Sequence, residues 1–437
     1  MSESLKQVLE EAIRLSTPDE FEVETARRAE RILRERLETL GLEFVFVGSY
    51  ARNTWLKGNL EIDVFILFPK ELSKKELEDR IIGIGAKVLD EMELRYAEHP
   101  YAHGKVFGVE VDLVPCYKVE SAEKIISAVD RTPFHHEWLK ERVKGKENDV
   151  RLLKKFLKAN NIYGAEYKVR GFSGYLCELL IIFYGSFIEC LRNAKNWTRK
   201  TVIDVKNGRI RTGDCFFVVD PVDERRNVAA NLSIDNLAKF VQLSREFLRK
   251  PSLEFFVQKR REISVQKLSE ALKKRETEIF VVEFERPRIV EDNLYPQLEK
   301  ASKKLFEVLE KESFLPIRFC FFAKEKCYLV FECAVKELSR IARKMGPPFE
   351  DEENVERFLA KEREFKPFLE NGRWWAFEIR RHTKPEEAVF DYIKENCQSL
   401  GKDVGLKLAE GFRILKGEEV LRTEIVNELG DFLGVRG

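Results

Sequence analysis

Residues 43–68 read EFVFVGSYARNTWLKGNLEIDVFILF, and this stretch decides the fold of the chain around it. The pattern predicts a strand, a Gly-Ser loop, at least one helical turn and a second strand that carries two acids. Only Ile62 separates Glu61 from Asp63, so the two-residue repeat of a strand directs both carboxylates to the same side. The surrounding apolar run is typical of a strand that is buried on both faces. Because an unpaired buried charge is costly, the two acids predict a bound divalent cation.

A later strand supplies a third acid. Residues 109–117, VEVDLVPCY, alternate apolar residues with Glu110 and Asp112, and this strand can pair beside the first acidic strand. Glu110 and Asp112 share a face, so either can be the third ligand, and the Leu-Val-Pro-Cys context favours Asp112. Three carboxylates that converge from two strands can hold two Mg²⁺ ions. Such a pair of ions activates an attacking hydroxyl and steadies a leaving pyrophosphate.

Gly48 and Ser49 stand between the first strand and the predicted helical turn. Free backbone N–H groups and the positive end of a helix dipole favour phosphate oxygens at such a position. Eleven residues separate Ser49 from Glu61, so a phosphate-binding loop and the acid pair would belong to neighbouring strands. Taken together, the loop and the acids indicate nucleotidyl transfer.

Composition limits the classes of partner. The 437 residues include 77 Lys and Arg against 76 Asp and Glu, a formal net charge of +1, so any nucleic acid must be bound by local basic patches. Eight cysteines without a CxxC pair argue against a zinc ribbon and against a disulfide framework. The N-terminal residues predict a helix and not a signal peptide, and no window approaches the roughly 18 apolar residues of a membrane span. We therefore expect a cytoplasmic protein.

The chain is too long for one ordinary hydrophobic core. The distribution of predicted helices and strands along it predicts an α+β protein of three domains. Residues 1–146 predict a mixed-sheet catalytic head, with helices from about Thr17 and at 71–92 and a meander of strands at 94–98, 101–107 and 109–116. Residues 147–252 predict a helical central domain whose core is a helix pair within 171–194. Residues 253–437 predict a C-terminal α+β part.

The C-terminal part has a recognisable order of elements. Its predicted elements are strand 279–287, helix 293–311, strands 315–323 and 326–335, an acidic loop with a helix, and strand 373–381. This order, strand-helix-strand-strand-helix-strand, is that of a ferredoxin-like or RNA-recognition-type module. Of Trp374 and Trp375, one ring is expected in the core and the other outside.

Several further residues allow a functional and a structural interpretation. Basic residues collect between 194 and 211 and include Arg209 and Arg211; they form either a solvated hairpin or a patch that tracks RNA phosphates. His99 and His103 suggest a metal site, but a hairpin without a third nitrogen or sulfur ligand favours a structural role. Lys154 lies on a basic helix face, where solvent exposure is the ordinary interpretation.

The acids, the loop and several longer segments together resemble one known family. The segments are VFVGSYARNTWLKG, RYAEHPYAHG, VEVDLVPCY, DRTPFHHEWL, ENDVRLLKKFLKANNIYGAEYKVRGFSGYLCELL, PVDERRNVAANLS and DNLYPQLEKASKK. They resemble archaeal, class I CCA-adding enzymes, which are tRNA nucleotidyltransferases of the DNA-polymerase-β-like superfamily. The resemblance covers nearly the whole length of the chain. It therefore identifies the family more specifically than the three acids alone would.

The resemblance implies a role for each matching residue. Glu61, Asp63 and Asp112 would bind two Mg²⁺ ions and carry catalysis. The residues implied to bind the nucleotide are Gly48, Ser49, Arg52, His135, Lys154, Tyr163 and Arg226, the last of them facing the base. Asp223 and Arg226 match the base-reading DxxR motif of the bacterial type by spacing only.

The resemblance also implies a reaction and partners. The protein would add C, C and A to the 3′ end of tRNA from CTP and ATP without a template, releasing pyrophosphate. The C-terminal part would hold the acceptor and T arms of tRNA, and the chain would form a homodimer. Two alternatives remain open at this point: a poly(A) or oligoadenylate polymerase of the same superfamily, and a catalytically silent RNA-binding protein.

Overall fold

The strand, turn and strand predicted for residues 43–68 all form in the computed structural model, which describes residues 3–96, 100–258 and 263–435. The chain divides into two compact units, Met1–Lys259 and Arg260–Gly437. Helices and sheets occur together in both units, which confirms the predicted α+β class.

The first unit carries two sheets among its helices. Its strands are β1 (Phe44–Val47), β2 (Glu61–Phe68), β3 (Glu91–Tyr96), β4 (Pro100–Val106), β5 (Val109–Tyr117), β6 (Thr201–Asp204), β7 (Arg209–Thr212) and β8 (Phe217–Val219). Its helices are α1 (Glu3–Ser16), α2 (Glu20–Thr39), α3 (Gly48–Ala51), α4 (Lys74–Val88), α5 (Thr132–Lys140), α6 (Glu147–Ala159), α7 (Gly174–Tyr184), α8 (Phe187–Ala194) and α9 (Ile234–Arg249).

The five-stranded sheet of this unit has the order β1-β2-β5-β4-β3. β2 and β5 are parallel, and the other neighbouring strands are antiparallel, so the sheet is mixed as predicted. Ile62, Val64 and Ile66 of β2 pack with apolar residues of α2 and α4 on one face. Phe65 packs in a smaller cluster on the other face, which confirms burial on both sides.

Two predicted helix boundaries in this unit are wrong. The helix predicted from Thr17 begins at Glu20, because Asp19 caps it in a reciprocal pair of hydrogen bonds with Glu22. The helix predicted at 71–92 ends at Val88, since Glu91 and Met92 pair with β4 as part of a strand. Residues 97 and 98 of the predicted strand 94–98, and His99, lie outside the described residues.

The helical part of the first unit surrounds an aromatic core. The predicted helix pair forms as α7 and α8, and Gly185 ends α7 with a φ of +86°. Phe156, Phe187 and Phe247 lie at the centre of this core with ring centroids 5.6–5.8 Å apart. Among the described residues, no single helix is long and apolar enough to cross a membrane; α7 and α8 reach that length only together, with a 92° bend between them.

The second unit also contains two sheets. Its strands are β9 (Glu278–Glu285), β10 (Pro316–Ala323), β11 (Lys326–Cys333), β12 (Ile341–Pro348), β13 (Phe368–Glu370), β14 (Arg373–Ile379) and β15 (Phe412–Lys416). Its helices are α10 (Val265–Arg275), α11 (Glu291–Lys311), α12 (Glu352–Leu359), α13 (Pro385–Asn396), α14 (Lys402–Glu410) and α15 (Val426–Phe432).

The larger sheet of this unit has the antiparallel order β10-β11-β9-β15, which is that of the predicted ferredoxin-like module. The prediction of its fourth strand is wrong: residues 373–381 contribute β14 to a separate sheet, β12-β14-β13, and β15 takes that place. β15 pairs with residues 280–284 of β9, all of which are buried, whereas β14 is mostly half-exposed. Trp374 and Trp375 are both half-buried, so the expected division into a core ring and an outer ring is also wrong.

Candidate active site

The three predicted metal ligands lie on two neighbouring strands of the first unit. The parallel register of β2 and β5 places Asp63 opposite Asp112 and Glu61 opposite Glu110. Ligand atoms of Glu61 and Asp112 lie within 4.8 Å of each other and of a ring nitrogen of His103. Side-chain alternation along the strands thus brings acids together from two separate segments of sequence.

All three carboxyl groups have raised pKa values. Burial, followed by the charges of Glu61 and Asp112, raises the pKa of Asp63 to about 7. Burial and the charge of Asp112 raise the pKa of Glu61, and burial raises the pKa of Asp112. A cluster of oxygen donors whose negative charges repel one another is stabilised by a divalent cation.

The loop after β1 touches the acid cluster. Gly48 has a φ of +71°, and a Cβ atom added there would overlap the Asp63 carboxylate. Only glycine therefore fits between β1 and Asp63 without displacing that side chain. Ser49 lies in the single turn of α3, and its carbonyl oxygen accepts a hydrogen bond from the Thr54 N–H at 2.8 Å.

Arg52 and Lys154 meet at a buried acid, Glu178, that the sequence analysis missed. Arg52 Nε donates to Glu178 Oε2 at 3.0 Å, and Lys154 Nζ lies 3.9 Å from Glu178 Oε1. Thr54 Oγ1 donates to Glu178 Oε1 at 2.5 Å. The Lys154 side chain is only 2% exposed, so the solvent-exposed interpretation of this residue is wrong. Burial lowers the pKa of Lys154, and Glu178 acts in the opposite direction.

The sequence did contain a signal for Glu178. This residue is the only charged one in the apolar helix GYLCELLIIFY. A lone acid in a core helix requires a buried partner, and here it has two cations and a hydroxyl group.

Tyr163 belongs to the same part of the site as Lys154. A Cβ atom at Gly174 would lie 3.2 Å from the Tyr163 hydroxyl oxygen and 3.7 Å from Lys154 Nζ, so both polar groups face the start of α7. Burial raises the pKa of Tyr163, which keeps its hydroxyl protonated.

His135 and Arg226 are brought together by Asp220, a second acid that the sequence analysis missed. His135 Nε2 lies 2.9 Å from Asp220 Oδ2, and Arg226 Nη1 donates to the same oxygen at 2.8 Å. Tyr175 stacks on the His135 ring at 4.3 Å and donates to Asp220 Oδ1 at 3.0 Å. Burial alone would raise the pKa of Asp220, but its bonds to His135, Val222 and Arg226 lower it to about 2.

His103 and Glu110 lie beside the acid cluster. His103 Nδ1 is 2.6 Å from Asp112 Oδ1, and Nε2 is 2.9 Å from Glu110 Oε2. The hairpin of β4 and β5 thus gives His103 two carboxylate partners and connects it to Asp112.

Arg209 and Arg211 lie on β7, an edge strand of the small sheet β7-β6-β8. Both residues are exposed, and the two-residue repeat puts their side chains on the same face of the strand. Within the part of the chain that the structure describes, neither guanidinium forms an ion pair.

Three family models match successive segments of the chain: a nucleotidyltransferase domain over 26–135, the second domain of tRNA nucleotidyltransferase over 148–257, and the C-terminal domain of CCA-adding enzyme over 275–417. A CCA-adding enzyme of Archaeoglobus fulgidus is 61% identical over 434 residues, which cover 99% of each chain. The chain belongs to the family of CCA-adding enzymes. This finding confirms the resemblance inferred from the sequence.

A second relative, the CCA-adding enzyme of Methanocaldococcus jannaschii, is 42% identical over 377 residues and 82% of each chain. Among solved structures, the poly(U) polymerase Cid1 bound to MgATP matches 59% of this chain and 99% of its own, with 14% identity and a TM-score of 0.48. The match to the tRNA nucleotidyltransferase model lies in the first unit, and the match to the CCA-adding enzyme model lies in the second.

Proposed function

We propose that the protein adds C, C and A to the 3′ end of tRNA, using CTP and ATP without a template and releasing pyrophosphate. The observation that carries the proposal is the register of β2 and β5, in which Asp63 faces Asp112 beside the Gly48 loop. Membership in the CCA-adding family supports tRNA as the acceptor.

The acid cluster suits Mg²⁺, because its carboxylates offer only oxygen donors and their pKa values are raised by burial and mutual repulsion. Glu61, Asp63 and Asp112 would hold two such ions. When bound, the ions would supply Lewis acidity for the 3′-hydroxyl and neutralise charge on the leaving pyrophosphate. Asp112 would in addition orient the 3′-hydroxyl.

The triphosphate would lie against the Gly48 loop and two cations. Backbone N–H groups of Gly48 and Ser49 would donate to its oxygens, with Arg52 and Lys154 supplying positive charge and Tyr163 a hydroxyl donor. Because Glu178 already binds both cations, it fixes their positions before the nucleotide arrives. Positions that are set in advance lower the entropic cost of binding.

The base would be recognised beside Asp220. This carboxylate holds Arg226 through Nη1, which leaves the other N–H groups of the guanidinium to face the edge of C or A. His135, stacked on Tyr175 and bonded to the same acid, would complete the nucleotide site.

The wider organisation is part of the same proposal. Residues 1–146 would form the catalytic domain, 147–252 the central domain and 253–437 the region that holds the acceptor and T arms of tRNA. The three family-model matches, at 26–135, 148–257 and 275–417, support this division to within a few residues. The proposal includes RNA contact by Arg209 and Arg211, a homodimer and a cytoplasmic location.

Nucleotide incorporation tests the function directly. A tRNA that ends at the discriminator base is incubated with the protein and CTP alone, ATP alone, or both. We expect two C residues with CTP alone, a complete CCA end with both, and little extension with ATP alone. Extension by ATP alone without use of CTP would instead identify a poly(A)-type polymerase. Binding of tRNA without any extension would identify a silent RNA-binding protein.

A further inference from the structure

His103 lies directly across from Asp112 in the antiparallel pairing of β4 and β5. Its two ring nitrogens approach two different acids, Nδ1 that of Asp112 at 2.6 Å and Nε2 that of Glu110 at 2.9 Å. Carboxylate oxygens only accept hydrogen bonds, so the ring donates to Asp112 through Nδ1–H.

The surroundings hold this ring in one place. The His103 side chain is only 8% exposed. On the outer side, Glu110 also lies 3.7 Å from Lys105 Nζ. The imidazole is therefore buried and held between the carboxylates of Asp112 and Glu110.

A hydrogen bond from a fixed ring limits the rotation of the Asp112 carboxylate. The χ2 torsion angle of Asp otherwise has a broad distribution, so a carboxylate without such a bond would sample many orientations. Because Oδ1 of Asp112 is hydrogen-bonded to the ring, Oδ2 is held in one orientation. Catalytic geometry tolerates errors of only about 0.5 Å, so such a restraint affects the rate.

We propose that His103 is a positioning residue that orients Asp112 through Nδ1–H and is itself anchored by Glu110 through Nε2. The inference rests on the proposed function, in which Asp112 carries catalysis. It gives Glu110 a role that differs from metal binding, although Glu110 shares a face with Asp112. It also connects β4, which contributes no metal ligand in the proposed function, to the reaction.

Two substitutions separate the bond to Asp112 from the bond to Glu110. The amide nitrogen of Asn lies near the position of Nδ1, and that of Gln lies near the position of Nε2. H103N therefore keeps a donor for Asp112, and H103Q keeps one for Glu110. Both variants of the full chain are compared with wild type in the rate of C addition, the KM for CTP and the affinity for Mn²⁺ measured by electron paramagnetic resonance.

We expect H103Q to lose about 10- to 100-fold in kcat and about tenfold in Mn²⁺ affinity, as is usual when the partner of a metal-binding group is removed. The KM for CTP should change less than about twofold, because the triphosphate lies on other residues. H103N should be about tenfold faster than H103Q. If H103N and H103Q lose kcat equally, His103 has only a packing role. If both variants have the wild-type kcat, His103 has no role in catalysis.

Thermal unfolding of each variant shows whether it folds. If H103Q does not fold, E110A and E110Q replace it, since a Gln side chain can still form a hydrogen bond with Nε2 and Ala cannot. E110A should then be slower than E110Q by about threefold, and equal rates would overturn the proposal. A wild-type chain that fails to extend tRNA would count against the proposed function, whereas the Mn²⁺ affinities test His103 independently.

Discussion

At the residue scale, the carboxylates of Asp63 and Asp220 have opposite electrostatic environments. Asp63 faces other acids, and burial with that repulsion raises its pKa to about 7. Asp220 faces His135 and Arg226, and these partners lower its pKa to about 2 against the effect of burial. The chain therefore surrounds Asp220 with hydrogen-bond donors, whereas the acids beside Asp63 repel its negative charge.

Replacing Asp63 by Asn should raise the stability of the fold and lower the activity. Its raised pKa means that the charged form opposes folding, and this cost grows as the pH rises from about 4 towards 7. D63N should therefore unfold at a higher temperature than wild type in EDTA, by more at pH 8 than at pH 5. Its kcat should fall by about 10²- to 10³-fold. D112N should lose as much activity, and wild-type rates in either variant would contradict the proposed mechanism.

Asp220 should affect stability in the opposite sense. Because its folded pKa lies below the unfolded value, its stabilisation is complete above about pH 4 and is lost as the pH falls towards 2. D220N should be destabilised by about 2 kcal/mol at pH 7 and by about half of that at pH 3. Urea midpoints at the two pH values measure the difference, with D223N, at the half-exposed pair with Arg131, as the milder control. A deficit in D220N that is the same at both pH values would rule out this assignment.

At the scale of elements, the turn between β1 and α3 controls the distance between the loop and the acids. Gly48 combines a positive φ with direct contact to Asp63, so the turn and the carboxylate share one constraint. Across from this turn, α6 and α7 bring Lys154 and Glu178 to Arg52. The site is thus assembled where one strand end and two helices meet.

Gly48 offers a matched comparison with Gly41. The two glycines have φ values of +71° and +67°, but a Cβ at Gly41 has nothing within 4 Å. G48A and G41A should therefore each lose about 1 kcal/mol of stability from the backbone strain. Only G48A should also lose activity, by about 100-fold, because Asp63 must move. Equal kcat values for the two variants would show that the contact with Asp63 does not matter.

At the scale of the whole molecule, a formal net charge of +1 leaves RNA binding to local patches. The exposed edge strand β7 carries Arg209 and Arg211 on one face, and they offer such a patch. R209A/R211A should weaken tRNA binding by about tenfold and lower the slope of log K against log salt by about 2. The KM for CTP should stay within about twofold of wild type.

The control for this double variant is K6A/R14A, which removes two positive charges from exposed positions on α1. Filter binding at several salt concentrations compares the two variants. If both weaken tRNA binding equally, the effect is one of total charge and the assignment of β7 fails.

Local pattern was enough to predict the acid pair, the glycine turn, the helix pair of α7 and α8, and the first three strands of the ferredoxin-like sheet. Each of these depends on the alternation of side chains along a strand, the periodicity of a helix or the chemistry of a turn, and such signals lie within a few residues of one another. The third acid was also predictable, because a second alternating strand carries it.

Only the tertiary structure decided which distant residues meet. Glu178 and Asp220 belong to the site through partners more than 80 residues away, such as Arg52 and His135, and no local pattern identifies such partners. The same reason explains the exchange of β14 for β15, since the pairing of a strand depends on which apolar surface remains free elsewhere in the fold. Sequence determined the chemistry of the site, and folding determined which charges hold it in place.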